Sequence, residues 1–155
     1  MTTLLMTAAG IAERVPHHGR MAWLDGLLEW SQAHIVCRAS NHHDSDHPLR
    51  TPHGLLASCA IEYAAQAMAL HGALCAEATG QAVGPVPGFL ASARSVQLGC
   101  WRLDEADGPL RIEAQRQAGD TRQLLYQFNV NDAAGRSLAQ GRATVVLNTP
   151  LVPST

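Results

Sequence analysis

Four segments in the second half of the chain alternate apolar and polar residues with a period of two. They are GFLASARSVQLGCW (88–101), LRIEAQRQA (110–118), RQLLYQFNVND (122–132) and RSLAQGRATVVLN (136–148). That period is the mark of strands with one buried face, and the short breaks DEADGP, GDT and AAG between them are turn signals. Further upstream the pattern changes. Leu55 to about Ala78 is rich in Ala, Leu and Met, holds no proline and has only Gly72 as a breaker. It predicts a helix roughly 35 Å long, at 1.5 Å per residue. Being apolar nearly all round, it is expected to be buried rather than to lie on the surface. TGQAVGPVPG (79–88) connects it to the first of the four strands.

Before the helix, residues 4–14 predict a short helix stopped by Pro16. Apolar runs at Met21–Trp30 and Ala33–Ala39 flank Ser31 and Gln32 and predict two paired strands. SNHHDSDHPLRTPH (40–53) is loop by composition. Two strands, one buried helix and four antiparallel strands make an α+β pattern. The expected architecture is a curved antiparallel sheet wrapped around one long central helix, the hotdog arrangement. With 155 residues and no linker or repeat, the chain reads as one domain over 1–150 with a tail at 151–155.

Composition narrows the function classes. The net charge is -2, the eleven basic residues are all arginine, and no basic run occurs, which argues against nucleic acid as a partner. No uninterrupted apolar run reaches membrane-spanning length. MTTLLMTAAGIAERV lacks a basic leader, so no signal peptide is expected. Cys37, Cys59, Cys75 and Cys100 have no metal or redox spacing and read as reduced thiols of a cytoplasmic protein. HHDSDH (42–47) has metal-ligating residue types but matches no established metal spacing.

The chemistry concentrates around one carboxylate. Glu62 is the lone acid in the middle of the most apolar helix, and burial among Ala, Ile, Leu and Met is expected to raise its pKa. Two histidines in the preceding loop, His47 and His53, are candidates to work with it. Backbone N–H groups of Ala57 and Ser58, at the expected helix start, are candidates to polarise a carbonyl oxygen. Cys59, three residues before Glu62, reads as packing rather than a nucleophile, and His71 as a core or capping residue.

VPHHGRMAWLDGLLEW (15–30) resembles the start of bacterial 3-hydroxyacyl-[acyl-carrier-protein] dehydratases, with Asp25 eight residues after His17. DHPLR followed by IEYAAQAM is similar to their block in which a catalytic histidine loop precedes a helix carrying Glu-x-x-x-Gln, here Glu62 and Gln66. With GFLASARSV and AQGRATVVL the resemblance spans almost the whole chain, and it looks closest to the ApeP-like dehydratases of aryl polyene clusters. Two departures stand out: no Pro-Gly pair precedes the acid, and the spacing from His47 to Glu62 is one residue longer.

The resemblance implies dehydration of a 3-hydroxyacyl thioester to the trans-2-enoyl thioester, in aryl polyene or fatty acyl assembly. His47 would be the base, Glu62 the acid, and Gln66 would join Ala57 and Ser58 in binding substrate. It assigns His17 and Asp25 structural roles. It implies no metal and no organic cofactor. The implied partners are an acyl carrier protein with a phosphopantetheine-linked chain and a second hotdog subunit, identical or paralogous. Two other readings stay open. HGLLASCAIE resembles a thioesterase helix, in which Glu62 would activate water, His53 would orient substrate and Gly54 would offer its N–H. The altered loop also fits a non-catalytic partner subunit of a paralogous dehydratase.

Overall fold

The computed structural model describes residues 3–147, so the predicted 151–155 tail lies outside the described residues. A two-residue strand β1 (Met6–Thr7) leads into a short helix α1 (Ala8–Ala12). The hairpin β2 (Gly26–Ser31) and β3 (His34–Ala39) follows, then the central helix α2 (Ala60–Ala78). Four strands complete the chain: β4 (Gly88–Leu98), β5 (Leu110–Gly119), β6 (Gln123–Asn131) and β7 (Ser137–Leu147). All seven strands form one antiparallel sheet in the order β1-β2-β3-β5-β6-β7-β4.

This is the expected hotdog fold. The sheet curves round α2, and one core cluster joins Tyr63, Ala67 and Leu70 of the helix to Ile35, Ile112, Ala114, Phe128 and Val130 of the strands. Ala60, Ala64, Ala67 and Ala73 are fully buried. Their small side chains let the helix backbone lie close to the pleat, which a row of leucines would prevent. His71 belongs to this core, as expected, held by Tyr126 Oη at 2.7 Å and the Ser31 carbonyl at 2.8 Å. Burial lowers its pKa.

Four expectations need correction. The first helix is shorter, because Met6 and Thr7 pair with β2. The strand expected from Met21 begins at Gly26, because Gly19–Met21 forms a 3-10 turn. Helix α2 is shorter at its start, with a 3-10 turn at Ala57–Cys59 and extended backbone at Leu56, leaving about 28 Å of α-helix at 1.5 Å per residue. Nor is α2 buried all round: Glu62, Ala65, Ala69, Gly72 and Ala76 form a half-exposed stripe. No helix of the described residues is long and apolar enough to cross a membrane.

The start of α2 is pinned by the loop that leaves β4. Leu103 donates its N–H to the Leu55 carbonyl at 2.8 Å, and Ala57 donates to the Trp101 carbonyl at 3.0 Å. Asp104, whose side chain is 5% exposed, accepts from the Leu55 N–H at 2.8 Å and pairs with Arg102 and Arg50. Gly54 sits at φ +95°, and a Cβ there would lie 2.3 Å from Arg102 Nε, so only glycine lets the chain pass so close.

The Arg102 hydrogen bond leads the effects that hold the Asp104 carboxyl at about 2, below its ordinary 3.8; burial opposes it and the Leu55 N–H adds to it. A depressed carboxylate stabilises the fold fully above its unfolded pKa and progressively less as pH falls through the folded one. Stability is therefore expected to drop between about pH 4 and pH 2, by on the order of 1–2 kcal/mol after allowing for the part-exposed arginine. Urea midpoints across that window should show the drop in the native chain and not in Asp104→Asn; parallel curves would contradict this anchor.

Candidate active site

Glu62 lies in the first turn of α2, facing out of the sheet's concave side rather than into it. Its Oε1 is 2.9 Å from His17 Nε2 and accepts a hydrogen bond from Gln66 Nε2 at 3.1 Å. Among the described residues no group hydrogen-bonds its Oε2. Gln66 is one helical turn on and 1% exposed, with its amide fully engaged. Nε2 also donates to the Met21 carbonyl at 2.9 Å, and Oε1 accepts from the Trp23 N–H at 2.9 Å. The segment bearing His17 is thus tied to α2 on its C-terminal side. On its N-terminal side Val15 is buried and Arg14 pairs with Glu77 at 2.6 Å.

His17 and Glu62 stand at one end of a groove of about 270 Å³. Its walls are Pro16, Ala65, Met68, Phe89, Leu124 and Val145, all apolar. Among the described residues the His17 Nδ1 is buried without a partner, and Nε2 is the ring nitrogen that faces the acid.

Burial does not win at Glu62, contrary to expectation. Desolvation is the largest single effect and raises its pKa, but hydrogen bonds from His17 and Gln66, with the His17 charge, together bring it below the ordinary carboxylate value. The side chain is 32% exposed, so the desolvation it suffers is partial. The resting carboxyl is an ionised group beside an imidazole.

The structure does not bring His47 to Glu62. His47 is 4% exposed and stacks on Trp23 with ring centroids 4.6 Å apart. Tyr63 Oη donates to Asn41 Oδ1 at 2.6 Å and so accepts from His47 Nε2 at 3.2 Å. His47 Nδ1 accepts the Leu49 N–H at 3.1 Å. Both nitrogens are occupied, and burial lowers the pKa, which favours a neutral imidazole.

The other candidate positions are also spoken for or apart. The Ala57 N–H is used by Trp101, as above, while Ser58 is exposed beside it. His53 is exposed on a tight turn, and the Gly54 N–H donates to the Thr51 carbonyl at 2.9 Å. Neither lines the groove with Glu62. Asp25 pairs with Arg38 at 2.7 Å, a structural role as expected. His42 and His43 both direct Nε2 at the Ala106 carbonyl. The described residues hold no cluster of three metal-ligating side chains. All four cysteines are free, and burial raises the pKa of each; at Cys59 the Glu62 charge adds to the rise.

The residue that sequence reasoning assigned to structure alone is His17. Its place in the Pro-His turn was visible, but its contact with a carboxylate 45 positions away depends on the Gln66 tie, which no local pattern announces.

Comparison with solved structures gives the same fold. The chain is similar to the dehydratase heterocomplex ApeI:P from Xenorhabdus doucetiae, with TM-score 0.79 and 20% identity, covering 90% of this chain and 91% of that one. It is also similar to a hypothetical thioesterase with coenzyme A from Streptococcus pneumoniae (TM-score 0.55, 13% identity, 79% and 84% covered). The PaaI protein of the E. coli phenylacetic acid degradation operon aligns with TM-score 0.56 and 10% identity, covering 79% and 78%. No protein with a curated description matches. The ApeP-like family, described as ApeP dehydratase, matches residues 9–151, and the chain belongs to that family.

Proposed function

We propose that the protein dehydrates a 3-hydroxyacyl thioester carried on acyl carrier protein, in aryl polyene or fatty acyl assembly, with Glu62 and His17 as the working pair. The observation that carries this reading is the 2.9 Å contact between His17 Nε2 and Glu62 Oε1 at the end of an apolar groove. Dehydration takes one proton from Cα and delivers one to the departing β-hydroxyl. A pair that shares a single proton can do both and end each turnover as it began. Transfer along the hydrogen bond converts imidazolium and carboxylate into imidazole and carboxylic acid. The imidazole then takes the Cα proton, and the acid gives its proton to the hydroxyl as the C–O bond breaks. After the transfer along the hydrogen bond the proton sits on Glu62 Oε1, which is the oxygen that gives it to the hydroxyl. This moves the imidazole role from His47 to His17.

Among the proposed carbonyl contacts, Ser58 keeps its candidacy because it is exposed at the helix start, whereas the Ala57 N–H is already paired. Gln66 acts by holding Glu62 and the His17 segment rather than by touching substrate.

A second reading, that the subunit works with a hotdog partner, draws on one observation. Edge strand β4 is eleven residues long, pairs among the described residues with β7 alone, and exposes Phe89 at 59% and Leu98 at 48%. A long apolar edge of this kind is a template for another chain, and Phe89 also walls the groove. The ApeI:P neighbour, a heterocomplex, supports a paralogous subunit as that chain.

Incubation with a 3-hydroxyacyl-carrier-protein thioester, read by intact mass, separates the readings. Loss of one water supports dehydration, and loss of the whole acyl group supports thioester hydrolysis. Turnover only when a paralogue is added supports the partner role. Glu62→Gln and His17→Ala are each expected to lower the dehydration rate by about 10²–10⁴-fold; an unimpaired Glu62→Gln protein would sink the assignment.

The electrostatics give an independent check. His17→Ala removes a hydrogen bond and a charge that lower the Glu62 pKa, leaving burial to raise it. The carboxyl is expected to titrate at higher pH in the variant. A ¹³C titration of Glu62 unchanged by the substitution would contradict the pairing.

A further inference from the structure

We propose that Gly72 sets the length of acyl chain the groove accepts, a reading that rests on the groove being an acyl-thioester site. Ala65, Ala69 and Gly72 follow Glu62 at helical spacings of three, seven and ten, so they share one face of α2 and continue one wall of the groove. Ten residues of helix carry that wall about 15 Å beyond the carboxylate. That distance is matched by an extended hydrocarbon of about a dozen carbons, each C–C bond of about 1.5 Å advancing somewhat less than its length. Leu124 and Leu147 also line the groove, and among the described residues no charged side chain lines it beyond Glu62 and His17. The occupant is therefore a long, linear, apolar chain.

Nothing in the fold asks for glycine at this position. Gly72 does not have a positive φ, and among the described residues a Cβ built on it would meet no atom within 4 Å. Glycine inside a helix is the poorest choice after proline, and α2 is the helix round which the sheet is built. Alanine would fit the space and strengthen the helix. The empty volume in front of Gly72 belongs to the groove. Any side chain there would shorten it at the end far from Glu62.

The test uses saturated butanoyl and dodecanoyl pantetheine thioesters, which lack the 3-hydroxyl and so report binding without chemistry. The full-length protein is expected to bind the longer probe at least about tenfold more tightly than the shorter, since each buried methylene adds to affinity. Gly72→Leu should bring that ratio close to one while leaving the butanoyl affinity within about twofold. Gly72→Ala should lower the ratio partway and raise the melting temperature, opposite signs that a structural role for the glycine would not produce.

The proposal is overturned by an unchanged ratio in Gly72→Leu, or by a native protein indifferent to chain length. It is equally overturned if the variants change only the oligomeric state, because Gly72 would then be serving helix approach in an assembly. Because the probes cannot be dehydrated, a protein that shows the chain-length effect but releases no water from a 3-hydroxyacyl substrate, alone or with an added paralogue, would refute the dehydratase reading and leave this one standing.

Discussion

The buried amide of Gln66 is the constraint on which the site depends. One side chain satisfies a carbonyl and an N–H of the segment that follows His17, and the carboxylate of Glu62. A primary amide is well suited to this, because it donates and accepts at once and carries no charge to desolvate. An acid there would repel Glu62, and an apolar residue would leave the Met21 carbonyl and Trp23 N–H without partners in the interior. With Trp23 held, its ring covers His47 and Tyr63, and with Met21 held, His17 is delivered to the start of α2. The sheet can wrap a helix without this contact, but it cannot place an imidazole against the acid.

Much of the architecture was legible in the sequence because it rests on short-range periodicity. The bounds of β4 to β7 fall within a few residues of the alternating segments, and the loop at 40–53 and the buried helix follow from composition. The misreadings share a cause. Residues 21–25 are apolar enough for a strand, yet Met21 and Trp23 spend their backbone groups on Gln66, 45 and 43 positions away. Leu55 and Leu56 are good helix formers, but Leu55 spends its carbonyl and N–H on Leu103 and Asp104. Tertiary hydrogen bonds overrode local propensity at both ends of the site.

Within one chain it is His17, not His47, that meets Glu62, for a similar reason. His47 sits beside a proline and upstream of the acid, which is the right neighbourhood in sequence, but Tyr63 and the Leu49 N–H take both its nitrogens. His17 looked like a turn residue and is one, since the turn is what aims it. Sequence proximity ranks candidates by how far apart they are along the chain. A fold in which the first third of the chain packs against the central helix makes that ranking a poor guide to distance.

The fate of Glu62 turns on competition between burial and donors. An acid embedded in apolar sequence would be held protonated if its environment were only apolar. Helix geometry places it on the half-exposed stripe, so water still reaches it and the desolvation penalty is incomplete. Two donors then suffice to reverse the balance, because a hydrogen bond to a charged acceptor contributes about 1.5–3 kcal/mol, as much as a partial desolvation removes. The result is a carboxylate that rests ionised with an imidazole 2.9 Å away. For the dehydration proposed above, which both removes and returns a proton, such a pair would hold the proton on whichever member the substrate does not yet need. An acyl chain bound as proposed would exclude water from the groove and strengthen the burial effect, shifting the balance toward a protonated Glu62.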